Sequence, residues 1–89
     1  MNLPSADTPL YNHSLTAIDA WLLGLGCRQD EKNLHHWSVR YANWEADVFL
    51  EIEELVVSYK EQEGQPGVTR SFKYSLSRHD IEAAVLAGP

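Results

Sequence analysis

Apolar positions change their period along the chain, and each change marks an element. Leu15, Ile18, Leu22 and Leu25 recur at spacings of three and four with Trp21 beside them, which predicts one face of a helix over residues 15–25. Ser14 stands where an N-cap hydroxyl accepts a free amide hydrogen of the first turn. Gly24 weakens the last turn, and Gly26 suits the left-handed position past the end. Residues 27–34 read as a polar connection. From His36 the period falls to two: Trp37, Val39 and Tyr41 alternate with His36, Ser38 and Arg40, a strand with one dry face.

After a four-residue loop at 42–45, the alternation resumes inward at Ala46, Val48, Leu50 and Ile52. Pairing the two runs sets Trp37 opposite Leu50, Val39 opposite Val48 and Tyr41 opposite Ala46. The other face then pairs Arg40 with Asp47 and His36 with Glu51. The apolar parity flips beyond Ile52, since Leu55, Val57 and Tyr59 are odd. A straight strand over residues 45–61 would be about 55 Å long at roughly 3.3 Å per residue, so Glu53 and Glu54 mark a bulge or a sharp change of direction. Gly64-Gln65-Pro66-Gly67 is a turn, after which Phe72, Tyr74 and Leu76 point inward. Tyr59 falls opposite Phe72, Val57 opposite Tyr74, Leu55 opposite Leu76 and Glu61 opposite Arg70.

Ser77 with Asp80 resembles a capping box. Ile81, Ala84 and Val85 form the stripe of a second helix, which Gly88 and Pro89 end. The expected architecture is α+β: a helix, an antiparallel meander of three to four strands, and a helix, with both helices on one sheet face and the other face wet. Residues 1–9, with Pro4 and Pro9, read as an irregular tail to a single domain over residues 10–89.

Composition narrows the function classes. The 89 residues are 44% hydrophobic and include three tryptophans, too apolar for disorder. Thirteen acids against seven bases give a net charge of −6, which disfavours nucleic acid and anionic lipid as partners. No apolar run approaches the roughly 20 residues that span a bilayer, and residues 1–10 lack a signal-peptide pattern. Cytoplasmic localisation is expected.

The chemistry-bearing residues do not converge. His35 and His36 are adjacent and on a strand point to opposite faces, so they do not chelate one ion together. Asp47, Glu51 and Glu53 share strand parity, with Glu54 beside them; on a wet face next to Arg40 they suit a docking surface for a basic partner better than a cation site. Cys27 lies past the electronegative end of the first helix, where a thiolate is disfavoured, and suits packing. His13 and Ser14 are neighbours without a triad, since capping already occupies the serine. No enzymatic activity and no cofactor are expected. Phe49, Glu51, Glu53, Glu54 and Val56 are the expected interaction surface for a protein partner, on a monomer or a homodimer. An alternative is an atypical RNA- or anion-binding domain using Arg70, Lys73, Arg78 and the start of the second helix.

Two resemblances follow from these residues. The order helix–strand–strand–strand–helix resembles a double-stranded RNA-binding domain, which implies that fold. Ser77-Arg78-His79-Asp80-Ile81-Glu82-Ala83-Ala84 nevertheless carries acids where such domains open the last helix with basic residues. The blocks Pro9-Leu-Tyr-Asn-His-Ser-Leu15, Leu25-Gly-Cys27, Glu53-Glu-Leu-Val-Val57, Arg70-Ser-Phe-Lys-Tyr-Ser-Leu-Ser-Arg-His-Asp-Ile-Glu-Ala-Ala84 and Gly88-Pro89 resemble a small family of unknown function found in cyanobacteria and plant plastids. That resemblance implies a photosynthetic host and a cytoplasmic or stromal setting and carries no catalytic residue. Because no site converges while the sheet face is exposed, a non-catalytic protein-interaction module, an assembly or regulatory accessory factor, is the expected role there.

Overall fold

The structure is a computed structural model that describes residues 4–41, 43–61, 64 and 66–89. Residues 1–3 of the expected tail, Ala42 of the first expected loop and Gln65 of the expected turn lie outside the described residues. The chain builds α1 (Leu15–Gly24), β1 (Arg28–Gln29), β2 (His36–Tyr41), β3 (Trp44–Leu50), β4 (Glu54–Tyr59), β5 (Val68–Lys73) and α2 (Arg78–Leu86), preceded by a 3-10 turn at Leu10–Asn12. The five strands form one antiparallel meander in chain order. The α+β class therefore holds. Two residues of the expected polar connection add β1 to the sheet, so it has five strands, not the three of a double-stranded RNA-binding order.

Both helices lie on the same sheet face. Ile18, Trp21 and Leu22 of α1 and Ile81 and Val85 of α2 share one buried cluster with Trp37, Val39, Ala46, Val48, Leu55, Val57 and Tyr59. Each helix starts as its capping serine dictates: the Ser14 hydroxyl accepts from the Ala17 amide and the Ser77 hydroxyl from the Asp80 amide, both at 3.1 Å. The helices are joined by the Trp21 indole N–H, which donates to Glu82 Oε1 at 2.8 Å. Tyr59 ties α2 to the sheet through its hydroxyl, which donates to the Val85 carbonyl at 2.7 Å.

Register departs from expectation in steps of two residues or four, so the dry face is preserved while the partners change. In the β2–β3 hairpin Trp37 faces Val48, Val39 faces Ala46, Tyr41 faces Trp44, Arg40 faces Glu45 and His36 faces Phe49. The cause is Trp44, assigned to the loop by its sequence context. Joining the ladder sets it edge-on to Tyr41 at 4.8 Å and to Tyr59 at 5.2 Å, contacts that favour the shorter connection. In the β4–β5 hairpin Tyr59 faces Val68, Val57 faces Arg70 and Leu55 faces Phe72. Gly67 sets this start: a Cβ there would stand 3.1 Å from the Tyr59 carbonyl oxygen, so only glycine brings Val68 level with Tyr59 without displacement. The expected Glu61–Arg70 pair is accordingly not formed.

Four expected inward residues, Leu15, Tyr41, Ile52 and Leu76, are exposed, whereas Tyr74 leaves the strand but still packs against the core. Tyr74 sits in the turn after β5, and Ile52 caps the turn between β3 and β4. In α1 the buried residues are Ala17, Ile18, Trp21 and Leu22, and Leu15, the first helical residue, lies ahead of where the helix meets the sheet. Residues 51–53 resolve the parity flip as a change of direction, closed by the Glu51 amide donating to the Glu54 carbonyl at 3.0 Å.

Residues 4–9 form no helix or strand but are docked. The Leu10 and Tyr11 amides donate to the Leu76 and Tyr74 carbonyls at 2.9 and 3.0 Å, and the Arg78 and His79 amides donate back to Thr8 and Ala6 at 3.2 and 2.9 Å. Leu10 is completely buried. At the other end, Gly88 has φ +82° and lies so close to the Trp44 indole that a Cβ would stand 2.8 Å from Nε1. Gly88→Ala is expected to lower stability by more than about 1 kcal/mol, from strain and overlap together; a urea midpoint unchanged from the parent would contradict this.

Candidate functional site

The turn between β3 and β4 projects beyond the sheet, and the segments beside it leave a half-open groove of about 580 Å³. Leu10 and Tyr11 come from the 3-10 turn, Leu15 and Ile18 from α1, Phe49 and Leu50 from the end of β3, and Ile52 from the turn. Three of these apolar side chains are left open to solvent: Ile52 is 97% exposed, Leu15 73% and Tyr11 62%. The tight turn forces Ile52 outward. Leu15, as the first helical residue, lies ahead of the buried arc.

Polar groups edge the groove. Asn33, His35 and Glu51 line it, Glu53 stands exposed on the other side of Ile52 without lining it, and the Tyr74 hydroxyl holds the turn by donating to the Glu51 carbonyl. His13, only 7% exposed, lies in the wall. Its Nε2 is 3.3 Å from the Thr8 carbonyl oxygen; because a carbonyl only accepts, Nε2 carries the hydrogen. Its Nδ1 is buried and has no partner among the described residues. In the sequence His13 reads only as a neighbour of the capping serine. Its position between buried Leu10 and the helix cap was the signal available.

The expected interaction residues divide between two surfaces. Phe49 and Val56 face each other across β3 and β4 on the side away from the helices, half-buried, with His36 stacked on Phe49 at 4.7 Å. Glu54 is on that side too, opposite Lys73, whereas Glu51 and Glu53 belong to the turn. The expected row of Asp47, Glu51 and Glu53 on one strand face is thus broken. Asp47 Oδ1 lies 2.9 Å from His36 Nε2, replacing the expected His36–Glu51 pair, and Asp30 Oδ2 lies 3.5 Å from His36 Nδ1. The Asn33 and Lys32 amides, donating to Asp30 Oδ1, hold that carboxyl below its usual range. Among the described residues no three His, Cys, Asp or Glu side chains are grouped to hold a metal ion, and no helix is long and apolar enough to cross a membrane.

The three candidate anion contacts are not brought together. Arg70 is on the helix side of β5 and Lys73 on the other side. Arg78 turns back to donate to the Pro4 carbonyl at 3.3 Å. Cys27 is buried, and desolvation pushes its thiol up to about 11. Ellman's reagent at about pH 8 is therefore expected to react slowly with the native domain and at once with the urea-unfolded chain; equal rates would contradict the burial.

The family model described as "Protein of unknown function (DUF3143)" matches residues 25–88. The chain belongs to this family. No curated protein and no solved structure matches it. Set on the fold, the DUF3143 match begins at the end of α1 and takes in the whole sheet and α2. It contributes Phe49, Leu50, Ile52 and Tyr74 to the groove, while Leu10, Tyr11, His13 and Leu15 come from the segment ahead of it.

Proposed function

We propose that this DUF3143 domain is a protein-interaction module, an assembly or regulatory accessory factor acting in the cytoplasm of a photosynthetic cell, and that it docks its partner on the lip formed by Ile52, Leu15 and Tyr11. The observation that carries this reading is the exposure of three large apolar side chains around one groove, with Ile52 97% open. Apolar surface concentrated beside a concavity is the mark of an interaction site, whereas single scattered apolar residues are not. The partner that fits presents an apolar side chain flanked by lysine or arginine, because Glu51 and Glu53 stand on either side of Ile52 and opposite charges at the rim steer and orient docking. The photosynthetic setting rests on the resemblance carried by residues 70–84.

The test is site-specific photo-crosslinking in native lysate. A photoreactive residue at position 52 is expected to capture a discrete partner, and Leu15→Lys in the same chain is expected to abolish the capture. Exposed positions of this kind change stability by no more than about 0.5 kcal/mol, so loss of the adduct reports docking rather than unfolding. Capture that is diffuse, or that survives Leu15→Lys, would overturn the reading.

A further inference from the structure

The sheet ends in an open edge. β5 is its last strand, six residues long, and among the described residues no backbone group outside β4 hydrogen-bonds to residues 68–72. Among the described residues, the chain's own N-terminal segment bonds the stretch just beyond, at residues 74, 76, 78 and 79, and makes no backbone hydrogen bond to the strand itself. An edge of that length presents a row of unpaired amide and carbonyl groups that a second strand satisfies by pairing.

The charge on this edge is opposite to that of the molecule. Net charge is −6, yet Arg70 and Lys73 both sit on β5, and neither has a carboxylate within ion-pair distance among the described residues. Glu54 stands opposite Lys73 on β4 and acids farther off are screened beyond about 8 Å at physiological salt, so an incoming strand meets Arg70 on one face and Lys73 on the other. A second copy of this chain would bring another Arg70 and Lys73 to the same edge, together with six further net negative charges.

We propose that β5 is a strand-addition site for an extended acidic segment of another protein, paired antiparallel. The register follows from the pleat. Val68, Arg70 and Phe72 share one face of β5, and Thr69, Ser71 and Lys73 share the other. Residues directly opposite in an antiparallel pair share a face. Read from its N-terminus, the guest therefore carries an acid opposite Lys73, an apolar residue opposite Phe72, a small polar residue opposite Ser71, an acid opposite Arg70, a small polar residue opposite Thr69 and an apolar residue opposite Val68. This surface is independent of the Ile52 lip, and failure here leaves that reading standing.

The probe is the end-blocked peptide Glu-Val-Thr-Glu-Thr-Val, titrated into isotopically labelled domain while amide shifts are followed. The largest shifts are expected over residues 68–73. Replacing both glutamates by lysine is expected to weaken binding by about tenfold or more, as two facing pairs change from opposite to like charge. The lysine peptide is expected to regain its affinity against Arg70→Glu/Lys73→Glu. Methylating alternate peptide nitrogens is expected to abolish binding in one phase and spare it in the other, because only alternate amides of a strand point to a given neighbour. The proposal is overturned by no shift at millimolar peptide, by shifts centred away from β5, by equal affinity of the glutamate and lysine peptides, by equal binding of both methylated phases, or by sedimentation showing that the free domain already pairs with itself through β5.

Discussion

Trp37→Ala is expected to destabilise the domain by about 3–5 kcal/mol, the largest effect of any single truncation in the sheet. Trp37 is almost completely buried, lies on the dry side of β2 opposite Val48, and belongs to the cluster under both helices. Its replacement removes one of the two tryptophans of that cluster, the more deeply buried one, and neighbours held by backbone ladders do not collapse into the space. Set against the roughly 5–15 kcal/mol that stabilises a typical domain, the loss brings the folded state close to its limit. Trp37→Phe is expected to cost less than half as much. The indole N–H of Trp37 is buried without an acceptor among the described residues, so phenylalanine gives up volume but also removes an unsatisfied donor. Urea unfolding of the two variants checks both statements. Equal losses would mean that the indole nitrogen is bonded in the native state.

Leu10→Ala is expected to cost about 2–5 kcal/mol, although the residue stands near the start of the sequence directly after Pro9. Leu10 has no exposed surface, and its amide and that of Tyr11 donate to the chain between β5 and α2. Anchor and hydrogen bonds act together: the buried side chain fixes the segment on the fold, and the segment closes one wall of the groove. Hydrogen exchange in the variant is therefore expected to accelerate at the Leu10 and Tyr11 amides ahead of those in β3 and β4. Unchanged protection at those two amides, with a loss below about 1 kcal/mol, would show that the segment is held by something other than Leu10.

The elements were legible in the sequence because their signals are local. Ser14 and Ser77 announce both helix starts, and the alternation around Trp37, Val48 and Val57 identifies the dry face whichever register is adopted. What escaped depends on contacts distant in sequence. Trp44 joins the ladder because Tyr59 waits on the neighbouring strand, and Val68 aligns with Tyr59 because Gly67 permits the close approach. The two-residue β1 has no periodicity to detect. The candidate site was legible in part: Glu51, Glu53, Phe49 and Val56 read as exposed or partly exposed, but Ile52 reads as inward when the parity count is continued two residues past the end of β3. Its exposure, and that of Leu15, makes the lip. His13 and Leu10 join the groove only once the N-terminal segment folds back across the chain between β5 and α2, which no spacing in the sequence reports.

The docking surface is tested most directly by the affinity of the captured partner for two single variants. Ile52→Lys replaces the exposed apolar tip of the turn, and Leu23→Lys replaces an exposed leucine of α1 that does not line the groove. Burying an isoleucine side chain contributes about 1.5–3 kcal/mol, so Ile52→Lys is expected to weaken binding by tenfold or more while Leu23→Lys leaves it unchanged. Equal affinity of the Ile52→Lys variant and the parent, or an equal loss in both variants, would contradict the assignment of the lip.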